Sequence, residues 1–222
     1  EAGVNHNGDI NIAKNLIREA RKIGADYIKF QTFRAENIVT RFAQQASYQI
    51  KNTGLKQSQF QMIKELEISY EDHFTLIEEC KLNNIGFLSS AFDLESIKFL
   101  NSLNLDYFKV PSGEITNLPY LRLISTFKRP VILSTGMASL GEIELGIETL
   151  IKNGLERNKI NILHCSTEYP APKENVNLSF ISTLQKTFGL NVGYSDHTKG
   201  IEVSLAAVAL GANIIEKHLT LD

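Results

Sequence analysis

The chain has only two cysteines, Cys80 and Cys165, and their scarcity excludes a disulfide scaffold. Both lie in apolar patterns, Cys80 in a helical stretch and Cys165 near the end of a strand, and read as small buried hydrophobes of a reducing cytoplasm. Long apolar runs are missing too. None reaches the ~18 residues of a membrane span, so no membrane partner is expected. Neither sign of charge is in excess: the formal net charge is −2, and without a broad basic field no nucleic-acid partner is expected. Low-complexity tracts, short-period repeats and a signal peptide are all absent. So is a Gly-x-Gly-x-x-Gly turn after the first strand, which argues against an open dinucleotide-binding sheet.

What is present is alternation. Hydrophobic residues make up 43% of 222 residues, enough for a full core in one domain spanning 1–222. Short apolar runs at 1–5, 26–32, 85–90, 106–110, 130–135, 160–166, 191–195 and 213–218 read as strands. Between them, 11–23, 72–83, 94–103, 117–127, 140–153, 177–187 and 200–210 read as helices. Asp9 is placed to cap the first helix and Gly24 to end it. Ser139 and Glu142 have capping-box spacing, and Asn153-Gly154 supplies a stop. The segment 34–70 is less regular and is expected to pass over one face. Eight strands and seven helices predict an α/β fold, a (β/α)8 TIM barrel whose eighth helix is missing, with the chain cut at both ends.

Polar residues fall where a barrel should be greasy. Strand side chains two apart share a face. Glu1 pairs with Asn5 in this sense, Lys29 with Gln31, Ser195 with His197, and Glu216 with His218. Lys109 opposes its neighbours Phe108 and Val110. If Phe30, Phe108 and Ile215 pack on helices, the polar set points into the mouth, the face that hosts chemistry in this architecture. A single buried Lys is ordinarily structural, its stem packed and its charge met by a carboxylate. Convergence of two Lys, two Glu and two His shifts the balance toward a site.

Lys29 and Lys109, with the turn residues Ser112-Gly113, Ser134-Thr135-Gly136 and Gly193-Tyr194-Ser195, suit a phosphate or carboxylate. His197 and His218 end neighbouring strands ~4.8 Å apart and can share a metal ion, although a satisfied core pair fits two histidines equally well. Glu216 is a candidate third ligand or its hydrogen-bond acceptor. Glu1 and Glu114 are candidates for proton transfer, while Glu114 equally suits a helix cap. His6 lies next to the mouth, His73 begins a helix, and His164 reads as buried with a backbone partner.

These residues sit in motifs that resemble the sialic acid synthase family. The likeness runs from Glu1-Ala2-Gly3-Val4-Asn5-His6-Asn7-Gly8 to Glu216-Lys217-His218-Leu219-Thr220-Leu221-Asp222. It passes through Ile28-Lys29-Phe30-Gln31-Thr32, Ser89-Ser90-Ala91-Phe92-Asp93 and Lys109-Val110-Pro111-Ser112-Gly113-Glu114. It continues in Leu133-Ser134-Thr135-Gly136-Met137, His164-Cys165-Ser166-Thr167-Glu168-Tyr169-Pro170 and Gly193-Tyr194-Ser195-Asp196-His197-Thr198.

The resemblance implies a barrel that condenses phosphoenolpyruvate with N-acetylmannosamine or a related N-acylated amino sugar, giving a nine-carbon 2-keto acid and phosphate. It implies that Lys29, Lys109, Ser112, Ser134, Thr135 and Ser195 bind phosphoenolpyruvate. Gln31 and Tyr169 would contact the sugar, and Glu1, Glu114 and Glu216 would be catalytic. His197 and His218 would hold Mn2+ or Mg2+. Legionaminic, pseudaminic or spore-coat precursors are alternative products; a Schiff-base aldolase or a non-catalytic sugar-binding barrel is the reading from other classes. Thr167 stands where some relatives carry Asn, which leaves the acceptor open. The family's small antifreeze-like C-terminal domain is absent from this sequence, and the full-length protein is expected to be a homodimer.

Overall fold

A computed structural model describes residues 1–44 and 58–221. Its contacts separate into two compact units, Ala2–Leu100 with Leu219–Asp222, and Glu1 with Asn101–His218. Among the described residues, no helix is long and apolar enough to cross a membrane.

The first unit pairs two parallel strands, β1 (Tyr27–Thr32) and β2 (Gly86–Ala91). Its helices are α1 (Ile10–Lys22), α2 (Ala35–Ile38), α3 (Gln59–Glu65), α4 (Tyr70–Leu82) and the start of α5 (Leu94–Ser102). Asp9 caps α1, its carboxylate accepting the Asn11 N–H at 2.7 Å, and Gly24 follows the helix with φ +84°. Ala13, Leu16, Ile17 and Ala20 form the buried stripe of α1; Leu76 and Cys80 are buried on α4. At about 1.5–3 kcal/mol for each large aliphatic side chain, that burial outweighs the exposed Arg18–Glu79 ion pair beside it. Burial also pushes the Cys80 thiol up to about 12, which leaves it inert.

The second unit carries β3 (Phe108–Val110), β4 (Val131–Ser134), β5 (Ile160–Cys165), β6 (Asn191–Asp196) and β7 (Ile215–Lys217). Each strand pairs in parallel with the next. Between them run α6 (Leu118–Thr126), α7 (Leu140–Lys152), α8 (Phe180–Phe188) and α9 (Glu202–Ala209). The capping box on α7 forms as expected: Ser139 Oγ accepts the Glu142 N–H while the Glu142 carboxylate accepts the Ser139 N–H at 2.7 Å. Registers line Lys109, Ile132, Asn161 and Asn191 along one side. Ser134, Leu163 and Gly193 follow on that same face, then Cys165, Ser195 and Glu216. The opposite face carries Phe108, Val110, Val131, Leu133, Ile162, Val192 and Tyr194, all buried.

The α/β expectation holds, and seven of the eight expected strands form among the described residues. The run 1–5 does not. It contributes one parallel bridge, Gly3 to Phe30, and then coils through four-residue turns closed by Asn5→Ala2, Asn7→Val4 and Asp9→His6 backbone bonds. Gly3 at φ +54° takes a left-handed conformation that ends extension. Alternation therefore does not apply to Glu1 and Asn5. Ile215, expected against a helix, is 37% exposed; among the described residues no helix follows β7. The irregular stretch 34–70 holds α2 and α3, and its residues 45–57 lie outside the described chain.

Candidate active site

In the second unit the polar residues that share one face of the strand ends meet. Lys109, whose side chain is 4% exposed, donates from Nζ to Ser134 Oγ at 2.7 Å and stands 3.6 Å from Glu216 Oε1. The same Glu216 oxygen accepts the Ser195 hydroxyl at 3.0 Å, and Ser195 Oγ lies 3.3 Å from His197 Nε2. The result is a polar chain from β4 through β3 and β7 to β6. A serine has one proton to give. Given to Glu216, it leaves His197 Nε2 with its lone pair, because Nδ1 must carry the ring proton that binds the Ser166 carbonyl. Burial lowers the His197 pKa, and the Ser166 bond only partly opposes this. Tyr169, preceding Pro170 across a cis peptide, is 66% exposed, with its ring 4.1 Å from the His197 ring and 5.7 Å from the His218 ring. The two imidazoles are 5.5 Å apart, centre to centre.

A second group adjoins the ends of β3, β4 and β5. Ser112 Oγ accepts the Gly136 N–H at 2.9 Å and contacts Cys165 Sγ at 3.2 Å. A Cβ at Gly136 would fall 2.7 Å from Thr167 Cγ2, 2.9 Å from Ser112 Oγ and 3.0 Å from Cys165 Sγ, so any larger residue would displace these side chains. A cavity of about 280 Å3 opens beside these groups, lined by Ser112, Gly113, Gly136, Met137 and Thr167 among others. Thr135, expected to bind substrate, donates its hydroxyl to the Leu163 carbonyl at 3.0 Å and is tied to backbone.

Other expected residues stand elsewhere. The Glu1 nitrogen donates to the Lys217 carbonyl at 2.8 Å, beside β7. Glu114, in a 3-10 turn (Ser112–Glu114), accepts from the Asn117 side chain at 2.7 Å; Asn117, not Glu114, caps α6. In the first unit Lys29 and Gln31 share a face of β1, in register with Leu88 and Ser90. Ser90, 1% exposed with no partner for its hydroxyl, adds a polar group to that face which sequence reasoning missed. Only the register reveals it. His6, expected at the mouth, is buried with its ring 6.2 Å from that of Phe30, a residue of the opposite face. His164 bonds the Val176 carbonyl at 2.7 Å, the backbone partner foreseen.

Asp196 was also missed. It points away from Ser195 and His197, wholly buried, and accepts from Thr198 N–H and Oγ1, Ser204 Oγ (2.6 Å) and Lys217 Nζ (2.9 Å). Burial would raise its pKa, but these donors outweigh burial and hold it below the usual carboxylate value. Asp196 thereby clamps β6 to β7 and α9 directly behind the two site residues that flank it.

A divalent ion would find two nitrogen ligands here, His197 and His218. The Ser166 carbonyl holds His197 in the tautomer that a ligand needs. Among the described residues no three His, Cys, Asp or Glu side chains converge as a metal cage. The donors fit an open two-imidazole site, completed by water and substrate, rather than a closed structural one.

The profile of the NeuB family matches residues 16–222. The N,N'-diacetyllegionaminic acid synthase of Campylobacter jejuni is 57% identical over the whole chain, which spans 66% of that relative. The human N-acetylneuraminate-9-phosphate synthase is 38% identical over the whole chain, which spans 61% of it. The crystal structure of a Leptospira borgpetersenii N-acetylneuraminic acid synthetase, in complex with citrate, superposes with a TM-score of 0.86 at 34% identity. It covers all of this chain and 72% of its own. The chain thus spans about two thirds of the length of the curated relatives it matches, and its α/β fold is that of a sialic acid synthetase.

Proposed function

Because the chain belongs to the NeuB family, we propose that its full-length protein condenses phosphoenolpyruvate with an N-acylated amino sugar and water, releasing phosphate and a nonulosonic acid. One observation carries this reading: a buried ammonium, two strand-end hydroxyls, a carboxylate and two imidazoles gathered at the ends of β3 to β7. The acceptor favoured is a diacetamido sugar, from the 57% identity to a diacetyllegionaminic acid synthase.

Lys109, Ser134, Ser112 and Ser195 bind the phosphate and carboxylate of phosphoenolpyruvate. At 3.6 Å the Lys109–Glu216 pair is not a closed hydrogen bond, so an arriving anion can take the free ammonium protons without breaking one. Held in line, C3 of phosphoenolpyruvate forms the new bond to the aldehyde carbon, whose oxygen takes up a proton. Glu216 stabilises the positive charge that develops at C2. Water adds there, gives its proton to a carboxylate, and the bond from C2 to the phosphate oxygen breaks to leave the 2-keto acid. Mn2+ or Mg2+ on His197 and His218, when bound, supplies Lewis acidity toward the acceptor aldehyde. Tyr169, exposed beside the imidazoles, tilted against His197 and edge-on to His218, contacts the sugar.

The test incubates full-length protein with Mn2+, phosphoenolpyruvate and a panel of acetamido and diacetamido sugars, reading phosphate release and product mass. His197→Ala and His218→Ala are expected to lose both turnover and Mn2+ binding seen by electron paramagnetic resonance. Unchanged turnover in either variant refutes the metal assignment. An imine trapped on Lys109 by borohydride would instead establish Schiff-base chemistry.

A further inference from the structure

We infer that Cys165 is a positioning residue that, together with the Gly136 N–H, orients the Ser112 hydroxyl to donate to the anionic substrate. The inference rests on the proposed binding of phosphoenolpyruvate at Ser112. A serine oxygen has two lone pairs and one proton. The Gly136 N–H takes one lone pair at 2.9 Å. Cys165 Sγ, at 3.2 Å, is the other neighbour within bonding distance. With the thiol as donor, both lone pairs are filled and the hydroxyl hydrogen is left for a third partner. That partner must be an acceptor, as phosphate and carboxylate oxygens are.

Position supports the role. Cys165 is in register with Ser195, which in turn is in register with Glu216, so the thiol lies on the face of the site residues rather than among the helices. It is 5% exposed, and so is shielded from competing water. Gly136 is part of the same device, since its missing methyl is what allows Ser112, Cys165 and Thr167 to crowd together.

The experiment measures phosphoenolpyruvate affinity by calorimetry, and the Michaelis constants for both substrates, in full-length wild type and three variants. Cys165→Ala removes the donor and is expected to weaken phosphoenolpyruvate about 3- to 10-fold, the scale of one modest hydrogen bond. The acceptor Michaelis constant should stay within about twofold. Cys165→Ser restores an O–H donor and should recover wild-type affinity within about twofold. Gly136→Ala pushes a methyl onto Ser112 and should cost more than Cys165→Ala. Equal weakening in the Ala and Ser variants overturns the inference, because volume rather than donation would then matter. So does wild-type affinity in Cys165→Ala. If wild type itself fails to bind phosphoenolpyruvate, the proposed function falls instead.

Discussion

Lowering the pH from 7 to 5 should destabilise this protein through one buried histidine. His73 in α4 is fully buried, and its Nδ1 donates to the Ser69 carbonyl at 2.7 Å. Its Nε2, 2.7 Å from Thr32 Oγ1, must therefore accept that hydroxyl, which is itself 2.6 Å from Ser89 Oγ. Protonating Nε2 puts a second N–H against Thr32, so the Thr32–Ser89 relay must reverse while a charge enters the core. Burial is the main cause that pulls the His73 pKa from 6.5 down to about 4; the Ser69 carbonyl opposes it, Arg34 and His6 add to it, and Asp72 opposes it. A depressed folded-state pKa means the unfolded chain binds more protons between those two values. Stability is whole above about 6.5 and is lost as pH falls toward 4. The loss works out at about 2 kcal/mol at pH 5 against about 0.2 kcal/mol at pH 7. Urea unfolding at both pH values, in wild type and His73→Gln, isolates this histidine because the others cancel. Wild type should lose about 2 kcal/mol more than the variant over that interval. Parallel stability curves for the two proteins would refute the reasoning.

Three further outcomes are expected. Tyr194→Phe deletes a fully buried hydroxyl that has no partner among the described residues, so thermal unfolding should show no loss and a gain of up to about 1 kcal/mol. Asp196→Asn leaves Lys217 without its carboxylate and should cost about 3 kcal/mol by denaturant titration, the scale of a broken buried pair. Ser139→Ala removes the capping box of α7 and should lower stability by about 1 kcal/mol, with phosphoenolpyruvate affinity untouched.

The repeating units were legible because each strand is a short apolar run and most helices begin on a readable cap. Asp9, Ser139 and Gly24 all act as their residue types predict. The turns at 1–9 were not legible, since Glu1-Ala2-Gly3-Val4-Asn5 has the composition of a strand and only Gly3 at positive φ breaks it. Parity along the strands was enough to bring Lys109, Ser195, His197 and Glu216 together. It could not show a contact between a strand end and a distant turn, as with Cys165 at the end of β5 beside Ser112 in the turn after β3, because that depends on tertiary packing. Asp196 escaped notice because alternation sets it opposite Ser195 and His197, and the groups that lock its carboxylate there come from β7 and α9, which sequence alone does not bring together.

The alternation along β6 divides labour between next-door residues. Position 195 faces the Lys109–Glu216 cluster, while 194 and 196 grip the scaffold with an aromatic ring and a locked carboxylate. Saturation mutagenesis through this strand should therefore give a sawtooth, abundance dropping at one residue and turnover at the next. The editable lane there is narrow, bounded on each side by residues the fold cannot spare.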